Sequence, residues 1–352
     1  MTSRIKKLIA EFPRHKNIDA LLITNDTNIR YLTQFNACES WLLVTKSKAF
    51  YITDFRYVLE AREGLKGVSV KQYTQTPCAT LFELCKYYKV KRLGFDEKHT
   101  SVCLFRKLKE FCPRRTKLLP ATGLVELLRE IKEAGEISQI RQCLDLHFKA
   151  IHFLRKVVKP GLNERQILDK LEGFVKSRKA GFSFPPIIAS GPNSCYPHAK
   201  VTDRLVRNNE PVLIDTGIEI NGYKSDLTRN FFLGKIPLYY TKTLDAVKLA
   251  QEQAIALIKP GVPVADIDLK ARNVLRKFGL AKYFGHSLGH GVGLDIHENP
   301  RLSYKSASIL EAGMIVTVEP AVYVPGQFGI RVEDMVLVTE QGCEVLSGNY
   351  NQ

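Results

Sequence analysis

Asp215, Asp226, His290, Glu319 and Glu333, together with His198 and His297, all fall between positions 198 and 333 of a 352-residue chain. Each sits in a strand-like or glycine-rich stretch. Four carboxylates and three imidazoles so grouped are an inventory suited to two divalent cations and an activated water. The spacing of the acids shows how they would meet. In PVLIDTGIEINGYKSDLTRNFFLG, Asn221-Gly222 lies between two runs rich in β-formers, the strongest short-range hairpin signal. With those residues as the turn, Ile220 pairs with Tyr223, Asp215 stands opposite Thr228 and Asp226 opposite Gly217. Side chains alternate along a strand, so both aspartates project from one face as diagonal neighbours roughly 7–8 Å apart.

The stretch VTVEPAVYVPGQFGIRVEDMVLV repeats the arrangement, with Glu319 and Glu333 equidistant from Gly326 and predicted to face each other. Carboxylates this close inside a domain repel one another and lose hydration unless cations neutralise them. The bland alternative is four solvated surface acids, and four such positions in apolar strands argue against it. GHSLGHGVGLDIHE adds His286, His290 and His297 among four glycines, which let backbone and imidazole approach a ligand. His15, His99, His147 and His152 are read as ordinary core or surface histidines. No dinucleotide loop and no Walker-type phosphate loop occurs.

The length predicts two domains, and 45% hydrophobic residues are enough to bury both. Residues 18–58 alternate apolar runs (IDALLIT, NDTNIRYL, SWLLVT, KAFYIT) with polar turns, and helical stretches follow at 79–90 and 101–111. A small α/β domain over 1–122 is expected. Residues 126–158 read as one or two long amphipathic helices interrupted at Gly135, and Pro160-Gly161 stops them before Asn163-Glu164 opens the next. Beyond 181 the texture is strand, Gly and Pro, with a helix pair at about 241–258 and 263–278. Residues 123–352 should form an α+β domain with helices covering a mainly antiparallel sheet.

The eight cysteines show no C-x-x-C pair and read as reduced, mostly buried thiols of a cytoplasmic protein. No signal peptide and no membrane span is expected. The net charge of +16 is uneven, with 23 basic against 11 acidic residues in 1–120 and 29 against 25 in 121–352. The basic residues are dispersed without interleaved aromatics, so nucleic-acid binding is not expected.

FSFPPIIASGPNSCYPHAKVTDR, IDTGIEINGYKSDLTRNF, GHSLGHGVGLDIHE, TVEPAVYVPG and GIRVEDMVLVTE, in that order, closely resemble the creatinase-like pita-bread metallopeptidases, among them aminopeptidase P and prolidase. The resemblance implies a pita-bread catalytic domain, a curved sheet covered by helices, behind a creatinase-type N-terminal domain that mediates homodimerisation and helps wall the active site. It implies Asp215 as chelator of one metal, His290 and Glu319 as ligands of the other, and Asp226 and Glu333 bridging both. His198 and His297 would contact substrate or its tetrahedral intermediate, Glu319 would shuttle a proton, His286 would line the proline side, and Arg331 would bind and support beside Glu333. Two cations ~3.5–4 Å apart can hold a water and lower its pKa towards ~7. Oxygen-rich ligation with one imidazole suits Mn2+, with Co2+ or Zn2+ as alternatives.

The implied substrates are proline-containing peptides, cleaved at an N-terminal Xaa-Pro bond as by aminopeptidase P. Xaa-Pro dipeptidase is the nearest rival, methionine aminopeptidase the next. A reading of another class is an inactive pita-bread scaffold, which would have lost metal ligands. The chain departs from the family pattern at Gln34 and Ala321, where Gly is common, and at Cys195-Tyr196, where Ala-Leu is common. Tyr196 stands beside His198, and Cys195 reads as a wall residue rather than a nucleophile.

Overall fold

The computed structural model describes residues 1–14 and 17–347, so His15 lies outside the described residues. The chain divides into two compact units, Met1–Arg129 and Glu130–Gln352.

In the first unit six strands form one mixed sheet: β1 (Ala20–Ile23), β2 (Trp41–Thr45), β3 (Ala49–Thr53), β4 (Ser69–Gln72), β5 (Arg92–Phe95) and β6 (Lys117–Pro120), ordered β4-β3-β2-β1-β5-β6. The central strands are buried apolar runs, as expected of a sheet covered on both faces. NDTNIRYL is not part of a strand-and-turn run. It forms the helix Asp26–Thr33, because Asn25 caps it by accepting the Asn28 N–H at 2.9 Å and because Ile29 and Leu32 recur at helical spacing. Gln34 ends that helix in the left-handed region at φ 58°, the conformation for which glycine is favoured.

The division between units falls seven residues beyond the expected 122. Helix Leu124–Glu130 is tied back to the first unit, where Leu128 O accepts the Tyr31 hydroxyl at 2.9 Å and Arg129 donates to Asn28 Oδ1 at 2.7 Å. The helix break in the next stretch is at 131–133, and Gly135 lies inside the first turn of Ala134–Val157. Glu136 starts that helix by accepting the Glu133 N–H at 3.0 Å.

The second unit pairs its strands antiparallel throughout. β7 (Gly181–Phe182), β8 (Ile187–Ser190), β9 (Glu210–Thr216), β10 (Ile218–Ile220), β11 (Tyr223–Lys224) and β12 (Leu227–Leu233) form the sheets β12-β9-β8 and β11-β10-β7. β13 (Gly289–Gly291), β14 (Glu298–Leu302), β15 (Ile315–Val318), β18 (Asp334–Val338) and β19 (Cys343–Val345) form the sheet β14-β13-β15-β18-β19, and β16 (Ala321–Val324) pairs with β17 (Phe328–Arg331). Helices Ala134–Val157 and Glu164–Lys176 pack Leu154, Ile167 and Leu171 on Val212 and Ile214. Helices Leu238–Ile255 and Val264–Lys277 pack Val247, Ala250 and Ile267 on Val316 and Ile330.

Both hairpins keep their expected register. Thr228 pairs with Asp215 and Ile220 with Tyr223 in the first, Val318 with Asp334 and Ala321 with Arg331 in the second. Each ladder is interrupted once, and the interruption is where Asp226, Glu319 and Glu333 stand.

The eight cysteines are free thiols, but only Cys78, Cys85 and Cys143 are buried, and Cys38 and Cys103 are exposed. Among the described residues no helix is long and apolar enough to cross a membrane.

Candidate metal centre

β9 brings Asp215 to its last turn of pleat, and Asp226 directly precedes β12 on the paired strand. His290 is held on β13 between β14 and β15, with a bulge between His290 and Gly291 that re-aims the strand. Gly291 is required there, because a Cβ would collide with the backbone carbonyl of Asn299. The His290 N–H donates to Thr317 Oγ1 at 3.1 Å, and ring Nδ1 lies 3.1 Å from Gly291 O. A proton on Nδ1 satisfies that carbonyl and leaves the Nε2 lone pair free. Nε2 stands 3.6 Å from Asp226 Oδ2 and 3.4 Å from Glu319 Oε1. Asp226, His290 and Glu333 each offer a ligand atom, all within 4.8 Å of one another.

The carboxylates are oriented by hydroxyls. Thr228 donates to Glu333 Oε2 at 2.7 Å, and Thr317 to Glu319 Oε1 at 3.3 Å. Arg331 is 4% exposed, donating to Asp215 Oδ2, to Thr228 Oγ1 at 2.9 Å, to the Tyr323 hydroxyl at 2.5 Å and to Pro197 O at 3.2 Å. These contacts engage Nε and both terminal nitrogens of Arg331 within the protein.

Burial and crowding of like charge show in the proton affinities. Asp226 and Glu333 are pushed well above the ordinary carboxylate range, by desolvation first and then by the neighbouring acids. Desolvation pushes Glu319 up to about 8 and also raises Asp215, where Arg331 opposes it. His290 is pulled down to about 4 by burial, so it is neutral and able to ligate. Asp215 Oδ1 is buried and accepts no hydrogen bond. An orphaned carboxylate oxygen beside three acids and a neutral imidazole is a donor set that fits divalent cations and fits an empty protein poorly.

The other histidines surround this group. The His297 ring centroid is 4.4 Å from that of His290. His198 is exposed and stands near Asp215 and His297. His286 Nδ1 lies 2.8 Å from Ser287 O and Nε2 3.2 Å from the Tyr323 hydroxyl. Because Arg331 donates to the Tyr323 oxygen, the phenol proton is left for His286 Nε2, and burial pulls that ring's pKa down to about 4, so it is neutral near pH 7. Its Nε2 is therefore engaged inside the protein. Thr228, Thr317 and Tyr323 carry no local sequence signal, since each gains its role only through partners brought by folding. His99 lies 3.1 Å from Glu126, His147 is buried between Ser225 and Thr216 hydroxyls, and His152 is exposed; none joins the centre. Cys195 ends the 3-10 turn Gly191–Cys195 and Tyr196 is 63% exposed.

Buried acids and a neutral imidazole gathered beside the breaks of two antiparallel hairpins define a site built to hold divalent cations. Residues 138–340 match the model of metallopeptidase family M24 and residues 4–131 that of the creatinase/prolidase N-terminal domain, and the chain belongs to this family. An uncharacterized peptidase of Bacillus subtilis is 35% identical over 331 residues, 94% of each chain. Among solved structures, an Xaa-Pro dipeptidase from Bacillus anthracis is 33% identical with a TM-score of 0.95, covering 98% of this chain and 97% of that one. An X-Pro aminopeptidase from Thermotoga maritima is 32% identical with a TM-score of 0.87, covering 94% and 95%.

Proposed function

We propose that this metallopeptidase is an exopeptidase that hydrolyses the Xaa-Pro bond at the N-terminus of peptides, with the reach of an aminopeptidase P. The observation that carries the reading is the convergence of Asp226, His290 and Glu333 beside Glu319, next to the orphaned oxygen of Asp215. Asp215 would hold one divalent cation, His290 and Glu319 a second, and Asp226 and Glu333 both; manganese suits this oxygen-rich set. The cations would supply charge neutralisation and a water acidic enough to ionise near neutrality.

The chain's own groups do the remainder. Glu319 takes the nucleophile's proton on a carboxylate oxygen and returns it to the proline nitrogen, which has no proton of its own and must gain one to leave. His198 and His297 donate to the developing oxyanion. Arg331 keeps Asp215 in place through the Asp215 Oδ2 and Thr228 contacts.

A second reading, Xaa-Pro dipeptidase, is favoured by Arg301. It sits on β14 opposite His290, donates through Nε to Ser287 Oγ at 2.8 Å, and keeps two terminal nitrogens for a free proline carboxylate. The test is product analysis after the metal-stripped protein is reloaded with manganese and given Ala-Pro, Ala-Pro-Pro-Ala and Met-Ala-Ser. Release of Ala from the tetrapeptide supports the aminopeptidase, and turnover of Ala-Pro alone supports the dipeptidase. Release of Met would point to a methionine aminopeptidase, and no cleavage with any metal would leave the inactive scaffold.

A further inference from the structure

Glu164 opens the helix Glu164–Lys176, a position where acids normally face water, yet it is 0% exposed. Its two oxygens are filled by uncharged donors: Ser190 N at 2.7 Å and Oγ at 2.8 Å, Asn193 Nδ2 at 2.9 and 3.1 Å, Thr202 N at 2.9 Å and Oγ1 at 2.7 Å. Burying a carboxylate is costly unless its lone pairs are occupied, and five donors occupy them. Those donors come from the two feet of one segment, residues 190–193 and 202. Between the feet lie Tyr196, Pro197 and His198.

The rest of the segment is held from the far side. Ser194 Oγ accepts the Gly329 N–H at 2.8 Å, and Arg331 donates to Pro197 O at 3.2 Å. Arg204 ties the Ser190 hydroxyl at 2.7 Å to Glu210 through two bonds of 2.6 Å. Among the described residues the His198 ring itself makes no hydrogen bond, so its place is set by the backbone that carries it.

We propose that Glu164 is a positioning residue for the reaction: by clasping both feet of segment 190–202 it fixes where His198 stands relative to Asp215 and His297. This rests on the role given to His198 under the proposed function. An amide cannot replace the carboxylate, because Gln has one acceptor oxygen and would turn an NH2 group against backbone N–H donors. One foot of the segment is then released.

The test is a double-mutant cycle on the manganese-loaded protein with Ala-Pro: wild type, Glu164→Gln, His198→Ala and the double variant, each assayed for kcat, KM, metal content and hydrogen exchange of segment 190–202. Glu164→Gln should lower kcat about tenfold or more, as misplacement of a reacting group does. KM and metal content should stay as in wild type, and amides 190 and 202 should exchange faster. In the His198→Ala background the same change should have almost no further effect on kcat, since the group it positions is gone. Effects that multiply in the double variant, or loss of metal, would overturn the proposal while leaving His198 its role. Wild-type kcat in His198→Ala would overturn both. If Glu164→Gln does not fold, Thr202→Val opens the same foot and completes the cycle.

Discussion

The two acid-bearing hairpins solve one problem with different parts. Each has its ladder broken where a carboxylate must leave the sheet, and each break is covered by one buried polar side chain from a helix. In the first, His147 of helix Ala134–Val157 reaches Ser225 Oγ at 3.1 Å and Thr216 Oγ1 at 2.7 Å, one on each strand. In the second, Gln251 of helix Leu238–Ile255 donates to Val318 O at 3.0 Å and Val332 O at 3.2 Å, again one on each strand. The first break also needs Gly217, whose Cβ would strike Ser225 O; the second uses Pro320, which has no N–H to leave unpaired. A sheet can therefore be opened to aim a charged group, provided that a side chain takes up the backbone or neighbouring hydroxyls left behind.

The largest test of this equivalence removes the acid proposed to touch both cations from each hairpin. Asp226→Asn and Glu333→Gln should each lower kcat on the order of 10³-fold or more, because several kcal/mol of charge stabilisation go with a cation. Metal content measured alongside should fall in both. Retention of metal and rate in one variant alone would break the symmetry between the hairpins. The next effect is on the braces: His147→Leu and Gln251→Leu should each lose about 1–3 kcal/mol in urea unfolding of the metal-free protein, since buried partners are left unsatisfied. A wild-type midpoint for either would show that its break needs no brace.

The pH dependence of the metal-free protein sharpens the contrast. Glu319 is raised to about 8 from an ordinary 4.5, so its contribution to stability is complete below about 4.5 and is lost as pH rises through 8. His147 is depressed to about 3 from 6.5, so its contribution is present above about 6.5 and is lost as pH falls through 3. Melting temperature measured in chelator should thus decline on both sides, and Glu319→Gln should make the alkaline limb shallower, leaving the part due to Asp226 and Glu333, while His147→Leu makes the acid limb shallower, leaving the part due to His286 and His290. The smallest effect is at the turns: Gly222→Ala at φ 75° and Gly326→Ala at φ 69° should each cost about 1 kcal/mol by thermal melting. Unequal losses would mean that one turn carries more than backbone strain.

Much of the site was legible because it depends on local rules. Asn221-Gly222 specifies a hairpin register, and strand alternation then fixes which residues share a face, so the pairing of Asp215 with Thr228 followed. The register of the second hairpin, Val318 with Asp334 and Ala321 with Arg331, followed from distance to the turn, and Glu319 and Glu333 stand in the interruption between those pairs. What could not be read comes from contacts between distant segments. Nothing near His147, Gln251 or Glu164 in the chain announces partners 67 or more residues away for the first two, or a clasped segment for the third. Helix Asp26–Thr33 was obscured because a short, polar stretch between two strands resembles a turn until its Asn25 cap is recognised. The boundary near 129 depends on Tyr31 and Asn28 bonding to Leu128 and Arg129, which no composition shift marks.

The raised proton affinity of Asp226, Glu319 and Glu333 also makes the centre exchange protons for cations. Glu319, raised to about 8, holds a proton at neutral pH that an incoming cation must displace, so loading liberates acid into solution and the apparent dissociation constant falls as pH rises. Calorimetric titrations in buffers of different ionisation enthalpy would count the protons released per cation bound.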